Sequence, residues 1–493
     1  MDKRYQPPDE DGTPLDRLIA ECNPLVGPSG ADPAAYTAWA AGVCAQVESA
    51  IQALHARGLT LGGVEPGDVL VRPDGRVTLA RLGLAAPGPV EVDTHALARL
   101  RLALFLPLTE LVRLDLDKAT ELADVIGGYF PVPRTFLDDA VRAVNGGSRA
   151  KHLPAWHCAT LPDPERWERL RRSMGNAILD HDDELFGTGG ITLAYGAAGV
   201  LYALDATGVG RFPDHERRLI ERATRPGEGA GLGFYDGLHG IAHTLAHLGH
   251  RREALELVEI VSRERWETLG LDLHGGLAGI GLNLLHLSET TGEHDLRERA
   301  LKVADLVARR LGESGVGGAG LMTGSSGPAL LFLRLFQRTG DRALLDLAKE
   351  ALRQDLRRYD QRSRDLRGVG LAWVLDIYLA HRHDEELANA FKALDQTARS
   401  PFYRRSGLLT GRAGALAYLA RGRGEDPAAE AQLRALGWHA VRHDAHIAFP
   451  GEQLTRLSMD LATGTAGVLL AVGAALHDEV VALPFLSPRE MEV

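Results

Sequence analysis

The sequence predicts a mainly α-helical protein whose larger part is an α/α toroid, a double ring of seven helix pairs. The first observation is a tetrapeptide with a glycine at each end, which occurs six times after residue 195 and opens an apolar run each time. The second is that these apolar runs alternate with amphipathic, charged segments. Self-similar starts at intervals of this size indicate helical repeats that bury their apolar faces against their neighbours.

The repeats can be placed one by one along the chain. Each tetrapeptide predicts a loop followed by an inner helix, and an outer helix comes next. A seventh copy, DLRG, has Asp365 in place of the first glycine. The first glycines of the other six are Gly196, Gly237, Gly276, Gly324, Gly411 and Gly464.

A closed ring would bring all of these loops to one end, around the opening of a central cavity. We therefore expect five of the first glycines, those at 237, 276, 324, 411 and 464, to contact a substrate there. The alternative is that the glycines only permit tight packing where helices begin.

The first 150 residues differ from the repeats. The short runs VLV and RVTLA, joined by Pro-Asp-Gly, predict a β-hairpin. The stretch 146–164 is rich in turn residues and predicts a linker. The predicted boundaries are thus 1–145 for a small N-terminal domain, 146–164 for the linker and 165–487 for the toroid.

Composition excludes several classes of function. The net charge of -11 disfavours nucleic-acid binding. The three cysteines, Cys22, Cys44 and Cys158, lie far apart and predict neither a disulfide framework nor a cysteine-rich zinc site. The N-terminus lacks the apolar core of a signal peptide, and no run is long enough to span a bilayer, so we expect a cytoplasmic protein without membrane contact.

The segments LAYGAAGVLYALDATG, GLMTGSSGPALLFLRLFQRTGD and AFPGEQLTRLSMDLATGTAGVLLAVGAAL resemble the cyclase domain of class III lanthionine synthetases. The resemblance covers about residues 165–487. It implies an α/α toroid that closes thioether rings in a ribosomally made precursor peptide by adding cysteine thiols to dehydroalanine or dehydrobutyrine. The products it implies are lanthionine, methyllanthionine or the carbon-carbon crosslinked labionin.

The resemblance also bears on metal binding. Zinc-dependent cyclases of the wider family hold the metal through a cysteine ahead of the fourth glycine motif and a Cys-His pair ahead of the fifth. The corresponding residues here are Met322, Ser363 and Arg364. Methionine is a poor zinc ligand and arginine is a permanent cation, so we predict no zinc and no cofactor.

Ring closure without zinc needs other groups to handle protons. A thiol with a pKa of about 8.5 is only a few per cent thiolate at neutral pH, so the chemistry favours a nearby base and a proton donor. The second and third motifs offer Asp236, His239 and His274, which we predict to be catalytic. Two alternatives stay open: these histidines serve as packing or capping residues, or His239, His243 and His247, spaced four apart on one helix face, chelate a metal.

The stretch 54–85 is similar to the catalytic-loop and metal-loop region of protein kinases, particularly those in class III lanthionine synthetases. The positions of the catalytic Asp, the Asn and the metal-binding Asp are occupied by Gly63, Asp68 and Arg81. An arginine would place a cation where Mg²⁺ must bind. The N-terminal domain is therefore predicted to be a truncated, inactive kinase C-lobe, which would leave phosphorylation and elimination to separate kinase and lyase proteins.

Three hypotheses for the whole chain follow. The first is a zinc-independent lanthipeptide cyclase that works mainly by positioning thiol and alkene. The second is a non-catalytic scaffold that binds the peptide beside a separate kinase and lyase. The third is a glycosidase, a class that also uses toroids and needs paired carboxylates; here only Asp236 and Asp365 lie in or next to the tetrapeptides.

Overall fold

The computed structural model describes residues 12–27, 30–80, 83, 85–146, 156, 163–181, 185–187, 190–313, 316–359, 366–422, 426–477, 481 and 483–486. The chain divides into two compact units, residues 1–157 and 158–493. Arg81, Ser363 and Arg364, on which predictions were made above, lie outside the described residues, as do Asp365, Cys158 and most of the predicted linker. Within the described ranges, no helix is both long enough and apolar enough to cross a membrane.

The first unit combines a small antiparallel sheet with helices. The predicted hairpin is confirmed, with Val69 opposite Leu79 and Val71 opposite Val77, and the sheet order is β1-β2-β3. The strands are β1 (Thr13–Pro14), β2 (Val69–Val71) and β3 (Val77–Leu79). The helices are α1 (Leu15–Cys22), α2 (Pro33–His55), α3 (Val90–Ala103), α4 (Lys118–Tyr129) and α5 (Arg134–Val144).

A buried carboxylate holds the loop that contains Gly63. The Asp93 carboxylate accepts hydrogen bonds from the Gly63 N–H at 2.9 Å and the Leu61 N–H at 2.8 Å. Its Oδ2 also lies 3.0 Å from Nε2 of His55. Burial opposes the charge of Asp93, but these hydrogen bonds outweigh it and lower the pKa. The Asp68 carboxylate accepts a local bond from the Glu65 N–H at 3.1 Å.

The second unit is a closed double ring, which confirms the predicted α/α toroid. In the described residues each inner helix packs against the next, and the last packs against the first. The inner helices are α7 (Ala197–Ala206), α9 (Leu238–His247), α11 (Leu277–Thr291), α14 (Ser326–Thr339), α16 (Leu366–His381), α18 (Arg412–Leu419) and α20 (Thr465–Leu476).

The outer helices cover the inner ring. They are α6 (Asp163–Leu179), α8 (Pro213–Ala223), α10 (Arg251–Ser262), α12 (His294–Glu313), α15 (Arg342–Arg358), α17 (Glu385–Ala398) and α19 (Pro427–Leu436). A short helix, α13 (Gly320–Thr323), precedes α14, and a hairpin of β4 (Val441–His443) and β5 (His446–Ala448) precedes α20.

Burial explains this division into inner and outer helices. Helix α11 buries residues on nearly all sides, whereas α12 buries one stripe at intervals of three and four. The stripe consists of Leu296, Ala300, Val303, Ala304, Val307 and Leu311. A helix that is apolar all round needs neighbours on every side, and only the inside of the double ring supplies them.

Candidate active site

A ring of backbone hydrogen bonds joins the loops that precede the inner helices. Its members are the residues two positions ahead of each first glycine, and five of them donate the N–H to the carbonyl of a neighbouring member. The bonds run from Ala194 to Tyr235 (2.8 Å), Tyr235 to His274 (2.8 Å), His274 to Met322 (3.0 Å), Leu409 to Ala462 (2.9 Å) and Ala462 to Ala194 (2.9 Å). The equivalent residue of the fifth repeat, Ser363, lies outside the described residues. We call the end of the toroid formed by these loops the mouth.

The glycines of the tetrapeptides are required by this backbone arrangement. The residue after the first glycine donates its N–H to a carbonyl seven residues back, as Leu238 does to Gly231 at 2.9 Å. A Cβ on Gly237 would lie 2.4 Å from that carbonyl oxygen, which no side chain tolerates. The nearest atoms to a Cβ on Gly276, Gly324, Gly411 and Gly464 would lie at 2.6, 2.6, 2.4 and 2.3 Å. Tight packing thus accounts for these glycines, and their contact with substrate stays a prediction.

Two of the predicted catalytic residues come together at the mouth. Nδ1 of His274 lies 4.0 Å from Oδ2 of Asp236, and the side chains are 25% and 46% exposed. The carboxylate occupies a space that two glycines leave open. A Cβ on Gly233 or on Gly275 would lie 2.5 Å from one of its oxygens. The glycine loops of two neighbouring repeats therefore create the site for a carboxylate beside an imidazole.

The electrostatics of this pair depend on its partial burial. Burial raises the pKa of Asp236, the nearby His274 opposes that rise, and the neighbouring carboxylate of Asp272 adds to it. The carboxyl group is therefore harder to ionise than in water, and a positive charge on the imidazole favours its ionised form.

Two tyrosines that the sequence analysis did not select also flank His274. The ring of Tyr235 stacks on the imidazole with centroids 5.9 Å apart and planes at 22°. The ring of Tyr195 lies 6.4 Å away and is 46% exposed at the mouth. Burial, then the charges of Asp460 and Glu452, raises the pKa of Tyr195. Aligning the repeats on their first glycines would have indicated both tyrosines. Tyr195 stands directly before its first glycine, as Asp236 does, and Tyr235 stands two residues before its own, as His274 does.

His239 does not join this pair. Its side chain, near the start of α9, is only 2% exposed, and Nδ1 lies 3.1 Å from Nδ2 of Asn283. The same amide nitrogen donates to the His239 carbonyl at 2.9 Å. Burial lowers the pKa of His239 to about 4, so the imidazole is neutral at physiological pH. His239 is thus buried against Asn283 of the next repeat, apart from the pair of Asp236 and His274, and its catalytic role stays a prediction.

The other histidines of α9 have separate partners. Nδ1 of His243 lies 3.2 Å from Oδ1 of Asn283, and its ring packs 4.6 Å from that of His286. Nε2 of His247 lies 2.9 Å from Oδ2 of Asp205. Among the described residues, no three His, Cys, Asp or Glu side chains are arranged to hold a metal ion.

Comparison with known proteins adds independent findings. Residues 315–442 match the model of the family described as lanthionine synthetase C-like protein. The chain is 41% identical over 584 residues to the "Probable SapB synthase" of Streptomyces coelicolor, and the alignment covers 97% of this chain and 62% of that protein. This chain thus spans less than two thirds of the length of that relative. The solved structure of nisin cyclase is 17% identical, with a TM-score of 0.32 over 48% of this chain and 72% of that one.

The family match and the candidate site occupy different repeats. The matched range contains α14, α16 and α18 of the inner ring, together with Met322. The pair of Asp236 and His274 lies ahead of it, in the second and third repeats. The chain therefore contains a lanthionine synthetase C-like region, and the backbone ring links that region to the candidate pair through the bond from His274 to Met322.

Proposed function

We propose that this protein closes thioether rings in a ribosomally synthesised, already dehydrated peptide. The observation that carries the proposal is the pair of His274 and Asp236, 4.0 Å apart and partly exposed at the mouth of a ring that contains a lanthionine synthetase C-like region. The extended similarity to a protein named as a probable synthase supports the same class of activity.

The proposed chemistry moves one proton and forms one carbon-sulfur bond. Neutral His274 takes the proton from the substrate cysteine thiol, and the thiolate attacks the β-carbon of dehydroalanine or dehydrobutyrine. The resulting enolate takes a proton at its α-carbon from the imidazolium, so the peptide mass does not change. Asp236 acts through His274, because its negative charge stabilises the imidazolium between the two transfers.

The proposed mechanism does not use zinc. It rests on residue identity, since the thioether of Met322 and the side chains of Ser363 and Arg364 cannot supply a thiolate-imidazole set. Holding thiol and alkene in contact then has to provide much of the rate enhancement, and effective molarities reached by well-oriented groups are large enough for this.

The experiment is mass spectrometry after thiol alkylation, because ring closure removes a thiol without changing mass. A dehydrated precursor peptide is incubated with the wild type, with His274→Ala and with His294→Ala, which changes an exposed histidine at the start of α12. We expect free thiols to disappear with the wild type and with His294→Ala and to persist with His274→Ala. Equal thiol loss with and without protein would contradict the proposal.

A second candidate function is a peptide-binding scaffold. It is favoured by Gly63, which has no side chain to act as a base and whose loop is held through its backbone by Asp93. On this proposal residues 1–145 are an inactive kinase-like remnant, and separate kinase and lyase proteins generate the dehydro-amino acids. The same alkylation assay separates the two functions, since a scaffold would bind the peptide while its thiols persist.

A further inference from the structure

The segment that follows α20 enters the inner ring. Arg334, in the middle of α14 and buried, donates hydrogen bonds from Nε at 3.1 Å and from Nη2 at 2.5 Å to the carbonyl of Phe485. The Phe485 ring lies between Phe234, 4.6 Å away, and His243, 5.5 Å away. A residue near the C-terminal end of the sequence is therefore fixed among helices of the second and fourth repeats.

The described residues of this segment are packed into the ring. Four of its described apolar side chains are each 7% exposed or less, namely Val481, Leu483, Phe485 and Leu486. Displacing it would return all four to water and leave Arg334 buried without the Phe485 carbonyl. A binding peptide would have to replace every one of these contacts, so the segment serves as a wall and not as a gate.

The wall borders a cavity of about 70 Å³. The cavity is lined by Met322 and Leu409, which belong to the backbone ring of the mouth, by Leu483 and Leu486, and by Trp373 of α16. One ordered water needs only about 10–15 Å³ by the same kind of measure, so this space can take a small aliphatic side chain. Met322 lines the cavity, and its carbonyl accepts the backbone hydrogen bond from His274. The cavity therefore lies next to the candidate active site.

Trp373 carries an unmet hydrogen-bond donor. The side chain is 5% exposed, and its indole Nε1 has no hydrogen-bond partner among the described residues. Buried donors are almost always satisfied in folded proteins. The Nε1 atom is itself shielded, so Trp373 contributes its apolar ring surface, and not its donor, to the lining of the cavity.

We infer that this cavity is a subsite for an aliphatic side chain of the substrate peptide, with Leu486 and Leu483 as its specificity-determining wall. The inference rests on the proposed function only in taking a peptide as the ligand. It assigns to the C-terminal segment a part in choosing which residue lies near the reacting cysteine.

The test is fluorescence anisotropy with two labelled synthetic peptides, binding being measured apart from turnover. Both contain one dehydroalanine and one cysteine, flanked by leucines in one peptide and by serines in the other. We expect the full-length wild type to bind the leucine peptide at least about tenfold more tightly. Leu486→Phe, which fills the cavity, should reduce this ratio below about threefold.

Controls keep the test decisive. Leu433→Ala changes a buried leucine of α19 that does not line the cavity, and it should keep the wild-type ratio. If Leu486→Phe does not fold, Leu409→Phe fills the same space from the mouth side. A wild-type ratio near one, or an unchanged ratio in the filled variant, overturns the subsite. Leucine preference without ring closure would instead refute the proposed cyclisation and leave the subsite standing.

Discussion

Replacing Asp236 by asparagine should slow ring closure and stabilise the protein at the same time. Asparagine keeps the shape of the side chain and removes its charge. Because burial raises the pKa of Asp236, the native state holds its proton more tightly than the unfolded chain does. The free energy of unfolding therefore falls as the pH rises through and above the ordinary carboxyl range, and Asp236→Asn removes that loss.

The magnitudes follow from the distance and the exposure. Unit charges 4.0 Å apart attract by about 1 kcal/mol in water and about 4 kcal/mol at an effective dielectric constant of 20. Asp236 is 46% exposed, so solvent screening favours the lower part of this range. A loss of about 1–2 kcal/mol of imidazolium stabilisation corresponds to a rate reduced roughly 5- to 30-fold. The gain in stability at neutral pH should be below about 1 kcal/mol, a rise in Tm of a few degrees at most.

The assay combines two readouts on the same samples. Alkylation and mass spectrometry give the rate of thiol loss, and thermal denaturation at pH 5 and pH 8 gives the stability difference, which should be larger at pH 8. A variant that closes rings at the wild-type rate would refute the role of the carboxylate. A variant that is several degrees less stable at pH 8 would refute the burial argument.

Three further changes test other parts of the structure. Gly275→Ala should reproduce the slow ring closure of the asparagine variant in the alkylation assay, because its Cβ would lie 2.5 Å from Oδ2 of Asp236; Gly312→Ala, in α12 with open space around it, should keep the wild-type rate. Asn283→Ala should lower the free energy of unfolding by about 1–3 kcal/mol in thermal denaturation, since it leaves buried groups of two histidines without a partner; a loss of peptide binding at unchanged stability would contradict this structural role. Asp93→Asn should lower the free energy of unfolding of the first unit by about 1–3 kcal/mol at pH 7 in urea denaturation. Because the native pKa of Asp93 is lowered, this difference should shrink as the pH falls below the ordinary carboxyl range. A difference that does not change with pH would contradict this argument.

The sequence predicted the repeat architecture well because its signals are local. Each loop needs a glycine where its backbone packs against a carbonyl, so a glycine recurs at the same position of the repeats. An inner helix such as α11 is apolar on nearly all sides, which its own sequence shows. The direction of a single side chain is not local. His239 and His274 looked equally suited to catalysis, but the α9 backbone turns His239 towards Asn283 of the next repeat, whereas His274 precedes its helix in an open loop.

The C-terminal segment shows a second limit of sequence reasoning. Val481 and Leu483 to Leu486 form no repeat and no helical stripe, so no periodicity indicated where they lie. Their position depends on Arg334, which is about 150 residues earlier in the chain. Arginines are mostly exposed in folded proteins, so nothing in the sequence indicates that this one is buried. Only the folded ring shows that this arginine is buried and holds the Phe485 carbonyl.

The backbone ring at the mouth explains how such a site can change its chemistry without changing its fold. The bonds between loops are made by N–H and C=O groups, which every residue at these positions supplies, and their side chains in this chain include those of Tyr235, His274, Met322 and Leu409. Fold stability at the mouth is thus carried by the backbone and the glycines, whereas the proposed chemistry depends on side chains that stand just ahead of a first glycine, Asp236 and His274. A substitution such as methionine for a metal-binding cysteine would cost the fold little, while an alanine at Gly240, where a Cβ would lie 1.8 Å from the Phe234 carbonyl oxygen, would disrupt it. The geometry of the proposed cyclase site therefore depends on the closed ring of loops at the mouth. Its mechanism depends on the side chains at a few positions in that ring where the backbone accepts any residue.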